Sequence, residues 1–272
     1  MPELPEVETV KRVLKKNLIG LKIETVDINY SKMIKTDYEN FKKNIINQEF
    51  LDVTRRGKWL IFELSNYYLV SHLKMEGKYF FSIDYEARKH DHIVFHLSGG
   101  KTLTYNDTRK FGVMYLVKKD KLYIDTPLKD LGLEPFSDLL TTSYLKSKIG
   151  TKKIPIKTLL LDQSIVCGIG NIYDNEILFA SCVSPFKKGI ELTDLELQLI
   201  IDNTKIILDK AISLGGTTIR SYTSSLGVSG SYQDNLKVHQ VKKCKTCGGD
   251  ILISKIGGRS TYYCPNCQGV SL

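Results

Sequence analysis

The stretch Cys244-Lys-Thr-Cys-Gly-Gly-Asp-Ile-Leu-Ile-Ser-Lys-Ile-Gly-Gly-Arg-Ser-Thr-Tyr-Tyr-Cys-Pro-Asn-Cys267 decides how the last part of the chain folds. It holds two Cys-x-x-Cys pairs separated by sixteen residues. Two thiolates at this spacing can bind one metal ion, and a second pair completes a tetrahedral zinc site. Sulfur fills all four positions, so the zinc is structural and leaves no open position for catalysis. We predict that its ligands are Cys244, Cys247, Cys264 and Cys267.

The residues between the two pairs favour a two-stranded ribbon over Ile251–Ser254 and Thr261–Tyr263. Arg259 would lie at its tip, after Gly257-Gly258, where a guanidinium suits a DNA groove or a phosphate. The alternative for Arg259 is a solvated turn arginine. The other two cysteines, Cys167 and Cys182, stand among apolar neighbours, and we interpret them as small core residues.

Upstream of the ribbon the chain has helical signals. Gly168-Ile-Gly-Asn171 opens one of the helices, and small residues at a helix start let backbone N–H groups approach an anion. An ordinary tight turn is the alternative for this motif. Ser, Thr and Gly then dominate residues 217–230, which we predict to be a surface loop. The predicted helices are Ser137–Ile149, Ile156–Asp162, Asn171–Ala180 and a long helix from the capping box at Thr193–Glu196 to about Ser213.

The first 120 residues have a different pattern. Apolar residues recur at helical spacing up to Leu18, with Gly20 as the stop, so a helix opens the chain. Short runs rich in β-branched and aromatic residues follow and predict strands in a sandwich or barrel. These runs include Lys22–Ile28, Trp59–Leu64, Tyr67–Leu73, Lys78–Ile83, His92–Leu97 and Val113–Val117.

The charge of the chain favours a polyanionic partner. The formal net charge is +9 over 272 residues. Five lysines and no acids lie between residues 139 and 161, and a second basic segment runs from residue 237 to the end. Two such segments suit a groove that follows phosphates, although a solvated basic surface is the alternative. We expect no membrane span and no secretory signal.

The amino terminus, Met1-Pro-Glu-Leu-Pro-Glu6, offers a nucleophile. Removal of the methionine before a small residue would expose the amine of Pro2. An α-amine titrates near about 7.7–8.0 and a lysine near about 10.4, so more of the α-amine is free base at pH 7. A secondary amine forms a charged iminium with an aldehyde-like carbon, which is an electron sink. The alternative is an ordinary amino terminus.

Six motifs together resemble the bacterial formamidopyrimidine-DNA glycosylase family. Five of them precede the cysteine pairs, all occur in the family's order, and the resemblance covers the whole chain. It implies an α+β multidomain fold: an N-terminal β-sandwich with a flanking helix, a helix–two-turns–helix domain and a β-ribbon zinc finger. The five are Met1-Pro-Glu-Leu-Pro-Glu-Val-Glu-Thr-Val10, His72-Leu-Lys-Met-Glu-Gly77, Lys89-His-Asp-His92, Asp107-Thr-Arg-Lys-Phe-Gly112 and Gly168-Ile-Gly-Asn-Ile-Tyr173.

The resemblance implies a catalytic set at the amino terminus. Pro2 would attack C1′ of the damaged nucleotide, and Glu3 would act as the acid and base, with Glu6 supporting the site. Lys58 resembles the lysine that contacts phosphate and the surroundings of the lesion. The reaction implied is removal of oxidised purines, followed by β- and δ-elimination that cuts the strand on both sides.

The resemblance also implies the residues that bind DNA. Met75, Arg109 and Phe111 would fill the gap left by a flipped base, with Arg109 on the orphaned cytosine. Packing in the core is the alternative for Met75 and Phe111. Arg220 and Tyr222 would belong to the loop that closes over the flipped base. The further DNA-binding residues are His72, His92, Asn171, Tyr173 and Arg259.

We predict four segments: residues 1–120 as the catalytic sandwich, 121–136 as a linker, 137–236 as the helical domain and 237–272 as the zinc finger. The partner implied is double-stranded DNA that contains oxidised bases or abasic sites, bound by a monomer in the bacterial cytoplasm at the nucleoid. Two alternatives stay open. One is an endonuclease VIII-like glycosylase for oxidised pyrimidines, and the other is a nucleic-acid-binding protein without catalysis.

Overall fold

The computed structural model describes residues 1–217 and 230–270. It divides into two compact units, Met1–Lys129 with Thr217–Gly230, and Asp130–Gly216 with Ser231–Leu272. The predicted α+β class is confirmed. The helices are α1 (Leu4–Leu18), α2 (Tyr38–Ile45), α3 (Thr142–Ile149), α4 (Ile156–Leu161), α5 (Asn171–Ala180) and α6 (Asp194–Ser213). The strands are β1 (Ile23–Ile28), β2 (Phe50–Arg56), β3 (Trp59–Leu64), β4 (Tyr67–His72), β5 (Lys78–Ser82), β6 (Asp91–Leu97), β7 (Lys101–Asn106), β8 (Val113–Lys118), β9 (Leu252–Ile256) and β10 (Arg259–Tyr263).

The first unit contains two four-stranded sheets, with the strand orders β1-β6-β7-β5 and β2-β3-β4-β8. Every pairing in them is antiparallel. Side chains of both sheets enter one hydrophobic core, where the Phe62 ring of β3 lies 5.5 Å from the Tyr79 ring of β5. Burying one face of each sheet against the other is the arrangement of a sandwich.

Helix α1 packs against β2 and β3 of this sandwich. Val7, Leu14 and Leu18 recur at helical spacing and enter the core of the sheets. Pro5 lies in the first turn, where the missing N–H costs no helical hydrogen bond. The packing therefore holds the first residues of the chain against the sandwich.

Two strands and one helix of the first unit were not among the predicted elements. Strand β2 carries a register shift between Phe50 and Asp52, which breaks the period-two alternation that identifies a strand in sequence. Strand β7 follows the Ser98-Gly-Gly100 turn directly and forms a hairpin with β6. Helix α2 has only eight residues, too few for a clear helical period.

In the second unit, α5 has the bounds predicted from the sequence. Helix α3 begins at Thr142 rather than at Ser137, because the side chain of Thr141 accepts a hydrogen bond from the Tyr144 N–H and caps the helix there. The predicted capping box is also present, with Glu196 N–H bonded to the Thr193 hydroxyl.

Strands β9 and β10 form the ribbon predicted between the cysteine pairs. Gly257 and Gly258 make its two-residue turn with φ of 54° and 77°, as a type I′ turn requires. The ribbon shares a small core with Phe179 of α5.

The prediction that Cys182 lies in the core is wrong. Its side chain is exposed, since it follows the end of α5 at a left-handed φ of 55°. Among the described helices, none has the length and apolar character that crossing a membrane requires.

Candidate active site and DNA-binding residues

The predicted catalytic residues at the amino terminus are buried. Pro2 lies just before α1, and Glu3 is 3% exposed. The Glu6 carboxylate accepts the Glu3 N–H at 2.8 Å through Oε2. Its other oxygen, Oε1, accepts the N–H of Thr217 at 2.7 Å and the Thr217 hydroxyl at 3.1 Å. Glu6 therefore fixes Glu3 and joins the start of the chain to Thr217, the first residue of the predicted surface loop.

The surroundings of the terminus favour a neutral amine. Burial lowers the pKa of the Met1 amine, and the charge of Lys58 acts in the same direction. The carboxylates of Glu3, Glu6 and Glu76 oppose this effect. Lys58 itself is 6% exposed, on the turn that joins β2 to β3. An amine, a carboxyl group and a lysine are thus close together and largely shielded from water, which is the set that nucleophilic attack and proton transfer need.

The loop that carries Met75, residues 73–77, follows β4 and is named the Met75 loop. His72 lies beneath it, 8% exposed, and its Nδ1 accepts the Lys74 N–H at 2.8 Å. Lys74 has a left-handed φ of 52°, which is unusual for a residue with a side chain. Met75 is half-buried. The structure therefore gives His72 a role in shaping this loop, and its contact with phosphate stays a prediction.

The loop that carries Arg109 and Phe111, residues 107–112, is named the Phe111 loop. Phe111 is 52% exposed, so it is not a core residue. The Arg109 guanidinium carbon lies 4.8 Å from the centre of the Phe111 ring. An exposed aromatic ring beside an exposed cation can stack on a base and donate to its edge.

His92 differs from these exposed residues. Its ring is 5% exposed, and Nε2 lies 2.8 Å from the carbonyl oxygen of Asp107. The ring of His90 is more accessible, and the His90 backbone has a left-handed φ of 76°. Since His92 is enclosed by protein, any effect of its side chain on DNA binding would act through the Phe111 loop. His90, which the sequence reasoning passed over, is the imidazole of this motif that solvent can reach.

In the second unit, Asn171 stands at the first position of α5. Its Nδ2 donates to the Ser260 carbonyl at 2.9 Å, which joins the helix start to the ribbon. Gln163 was missed by the sequence reasoning, yet its amide shapes the turn before the helix. Its Oε1 accepts the Gly168 N–H and its Nε2 donates to the Ile169 carbonyl, both at 2.9 Å. The sequence offers little evidence for this role of Gln163, because a single glutamine forms no recognisable motif.

Two residues of this unit are more buried than the sequence suggested. Tyr173 is fully buried, with its ring 5.6 Å from that of Tyr232, so its side chain faces protein. Lys157 was counted in a basic segment that follows phosphates, but it is fully buried. Its Nζ lies 3.0 Å from Asp174 Oδ2 and 2.7 Å from Asn175 Oδ1. That part of the prediction is wrong, because an ion-paired lysine inside the protein cannot neutralise a phosphate.

The four predicted metal ligands form one cluster. Their sulfur atoms all lie within 4.8 Å of one another, with 3.7 Å between Cys244 and Cys267 and 3.5 Å between Cys247 and Cys264. Four thiolates on a tetrahedral zinc, at bonds of about 2.3 Å, lie about 3.8 Å apart. The cluster therefore fits one structural zinc.

Arg259 is exposed at the start of β10, beside the ribbon turn. Arg220 and Tyr222, the other predicted contacts, lie outside the described residues.

Three family models match the chain. Residues 1–114 match the formamidopyrimidine-DNA glycosylase N-terminal domain, and residues 131–223 match the H2TH domain of the same family. Residues 242–270 match a zinc finger found in FPG and IleRS.

Curated relatives and solved structures are similar over nearly the whole length. The formamidopyrimidine-DNA glycosylase of Streptococcus pneumoniae serotype 4 is 45% identical, over 98% of this chain and 99% of that protein. That of Rickettsia africae is 44% identical with the same coverage. Among solved structures, the complex of Lactococcus lactis Fpg with an abasic site containing DNA has a TM-score of 0.91 at 38% identity. A complex of the wild-type L. lactis Fpg with a N7-benzyl-Fapy-dG containing DNA has a TM-score of 0.92 at 38% identity, and each structure covers 98% of this chain and 99% of the other.

Proposed function

The chain belongs to the formamidopyrimidine-DNA glycosylase family, and we propose that it uses the amine of Pro2 as its nucleophile, with Glu3 and Lys58 as its partners. The protein is a base-excision repair glycosylase for oxidised purines, with abasic-site lyase activity. The observation that carries the assignment of residues is the buried cluster at the amino terminus. There Glu6 holds Glu3 in place, Lys58 is buried, and burial lowers the pKa of the Met1 amine, next to Pro2.

In the first step, the ring nitrogen of Pro2 attacks C1′ as the bond to the damaged base breaks. Glu3 protonates the sugar ring oxygen as the ring opens, and the base leaves with the electron pair of the glycosidic bond. The departing base takes up the N–H proton that Pro2 loses, and the product is an iminium between Pro2 and C1′, which acidifies the protons of C2′. Loss of a C2′ proton expels the 3′ phosphate, and a second elimination expels the 5′ phosphate. Glu3 and Lys58 are the groups that would move these protons.

The proposed DNA contacts are of two kinds: side chains that enter the duplex, called the wedge, and side chains that bind phosphates. Met75 and Phe111 would occupy the space that the flipped nucleotide leaves, and Arg109 would bind the unpaired base of the opposite strand. Asn171 and Arg259 would contact phosphates, and zinc holds the ribbon that carries Arg259. The observation that supports the wedge is an exposed Phe111 ring with the Arg109 guanidinium 4.8 Å from its centre, because an exposed aromatic ring can stack on a base.

Borohydride trapping tests the nucleophile. Borohydride added during reaction with a duplex that holds 8-oxoguanine opposite cytosine should reduce the iminium and leave a covalent adduct. Peptide mapping should find it at Pro2, with Met1 absent from the active protein. An adduct at any lysine, or an active enzyme that still carries Met1, would contradict the assignment. Thymine glycol excised faster than 8-oxoguanine would contradict the specificity.

We propose that the enzyme acts in the cytoplasm on the nucleoid. Its substrate, double-stranded DNA with oxidised bases or abasic sites, is located there in bacteria.

A further inference from the structure

The Phe111 loop is built around one buried carboxylate that neither the catalytic set nor the DNA contacts include. Asp107 follows β7, and its side chain is fully buried. Oδ1 accepts the Arg109 N–H at 3.0 Å, and Oδ2 accepts the N–H groups of Phe111 at 2.9 Å and Gly112 at 2.8 Å. The carboxylate thus binds the backbone of Arg109 and Phe111, two of the three residues whose side chains would enter the duplex.

The loop needs this support because its backbone is strained. Lys110, between Arg109 and Phe111, has a left-handed φ of 58°. A residue with a side chain adopts this conformation at a cost, and the surrounding hydrogen bonds must hold it there. The carbonyl oxygen of Asp107 accepts two more hydrogen bonds, from the Lys110 N–H at 3.3 Å and from His92 Nε2 at 2.8 Å.

The Phe111 loop is also joined to the Met75 loop. The Thr108 hydroxyl donates to the Glu76 carboxylate, which connects the two loops. At their base, the Tyr105 hydroxyl lies against Gly77 and Gly112, where a Cβ at either glycine would overlap it. The two loops are therefore joined by a hydrogen bond and both pack on the Tyr105 hydroxyl.

We propose that Asp107 is a positioning residue of the wedge: its carboxylate fixes the Phe111 loop, and through Tyr105 and Thr108 the two loops enter the duplex as one body. The proposal rests on the proposed function, since it assumes that Phe111 and Arg109 enter DNA. Because its side chain is fully buried, Asp107 would touch neither base nor sugar. Its effect is limited to substrates in which a base must be unstacked from a partner strand.

The test is Asp107→Asn, which keeps the size of the side chain. One of its two oxygens becomes an NH₂ group that faces backbone donors, so at least one loop bond is lost. Excision of 8-oxoguanine from a duplex, measured in single turnovers, should slow at least about tenfold, a loss of about 1.4 kcal/mol in the barrier. A 2-aminopurine beside the lesion should show a smaller fluorescence rise.

A single-stranded oligonucleotide with an abasic site separates positioning from chemistry. It has no partner strand, so Asp107→Asn should cleave it and form the borohydride adduct within about twofold of the wild type. Equal losses on single strand and duplex would overturn the proposal. If the wild type itself gave no adduct, the proposed function would fail instead. Asp37→Asn, which changes a carboxylate that caps α2 through the Asn40 N–H, is the matched control and should behave as the wild type.

A double-mutant cycle with Arg109→Ala asks whether Asp107 acts through the loop. Once Arg109 is truncated, Asp107→Asn should cost less on the duplex than it does alone, because the two residues share one element. Additive losses would overturn the proposal. If Asp107→Asn does not fold, Tyr105→Phe replaces it in the same assays. It removes only the hydroxyl between Gly77 and Gly112, and a duplex defect absent from the single strand is again the expected result.

Discussion

At the scale of single residues, burial fixes the protonation state of His72. Burial lowers its pKa to about 3, and the charges of Lys74 and Lys58 act in the same direction. In the unfolded chain a histidine titrates near about 6.5. Between these values the unfolded state binds a proton that the folded state does not. The free energy of unfolding should therefore fall as the pH is lowered from about 6.5 to about 3.

Denaturant titrations at several pH values measure this slope. His72→Asn removes the titrating group and keeps an acceptor for the Lys74 N–H, so the slope should become smaller. It should not vanish, because burial also lowers the pKa of His239, to about 4. An unchanged slope in His72→Asn would contradict the prediction.

Glu3 gives a second prediction at this scale. Glu3→Gln replaces the carboxyl group, which can exchange a proton, with an amide of the same shape. DNA binding should therefore be nearly unchanged. Base release should slow by about 10²–10⁴-fold, the range for the loss of a general acid or base. Binding assays and single-turnover rates distinguish the two effects, and Glu24→Gln, on an exposed side chain, is the control. Equal losses in binding and rate would mean that Glu3 is mainly structural.

At the scale of elements, the ribbon depends on zinc. It has two five-residue strands and a small apolar core, too little to fold alone. Cys264→Ser should release the metal and weaken DNA binding, because Arg259 loses its rigid support. Zinc content and binding affinity check this, and Cys182→Ser, at an exposed thiol outside the cluster, should change neither. Unchanged affinity in a zinc-free Cys264→Ser protein would contradict the prediction.

Helices α4 and α5 are joined by a buried ion pair between Lys157 and Asp174. Lys157→Met leaves the carboxylate buried without its cation, so the protein should lose about 3–5 kcal/mol of stability. Changing both partners, in Lys157→Met/Asp174→Leu, should recover much of that loss. Lys153→Met, at an exposed lysine nearby, is the control. Free energies of unfolding that fall equally in the single and double variants would contradict this account.

A second anchor at this scale joins α5 to the segment before the zinc cluster. The Glu176 carboxylate accepts the N–H groups of Lys237, Val238 and His239 at 2.8–3.0 Å. Burial raises the pKa of Glu176, which these backbone bonds oppose. The helices and the ribbon consequently lie in one compact unit, and the predicted division into a helical domain and a separate finger remains a prediction.

At the scale of the whole molecule, the net charge of +9 makes DNA affinity depend on salt. Each phosphate contact contributes about −0.9 to the slope of log K against log salt concentration. Arg259→Ala should therefore make this slope shallower by about 1, with a similar loss on damaged and undamaged duplexes. Titrations at several salt concentrations measure it. Lys210→Ala removes an equal charge from the end of α6, and an identical change there would show a general charge effect instead.

Residue spacing along the chain was enough to predict the zinc ligands, the ribbon and the bounds of α5. Each of these depends on residues close together in the chain: cysteine spacing, a Gly-Gly turn, a glycine-containing helix start. Order and spacing of the six motifs also gave the family and the reaction. Strands β2 and β7 were missed because a register shift and a short turn hide them in a single sequence.

Which polar residues are buried, and which groups they bind, depends on the folded structure and could not be predicted from the sequence. In sequence, Lys157 is one of several lysines and Asp107 is one residue of a motif. The fold encloses both, gives the first an ion-pair partner and turns the second toward three backbone N–H groups. Burial and hydrogen-bond partners depend on segments far apart in the chain, as with Thr217 and Glu6. Patterns within a short stretch of sequence therefore do not predict such contacts.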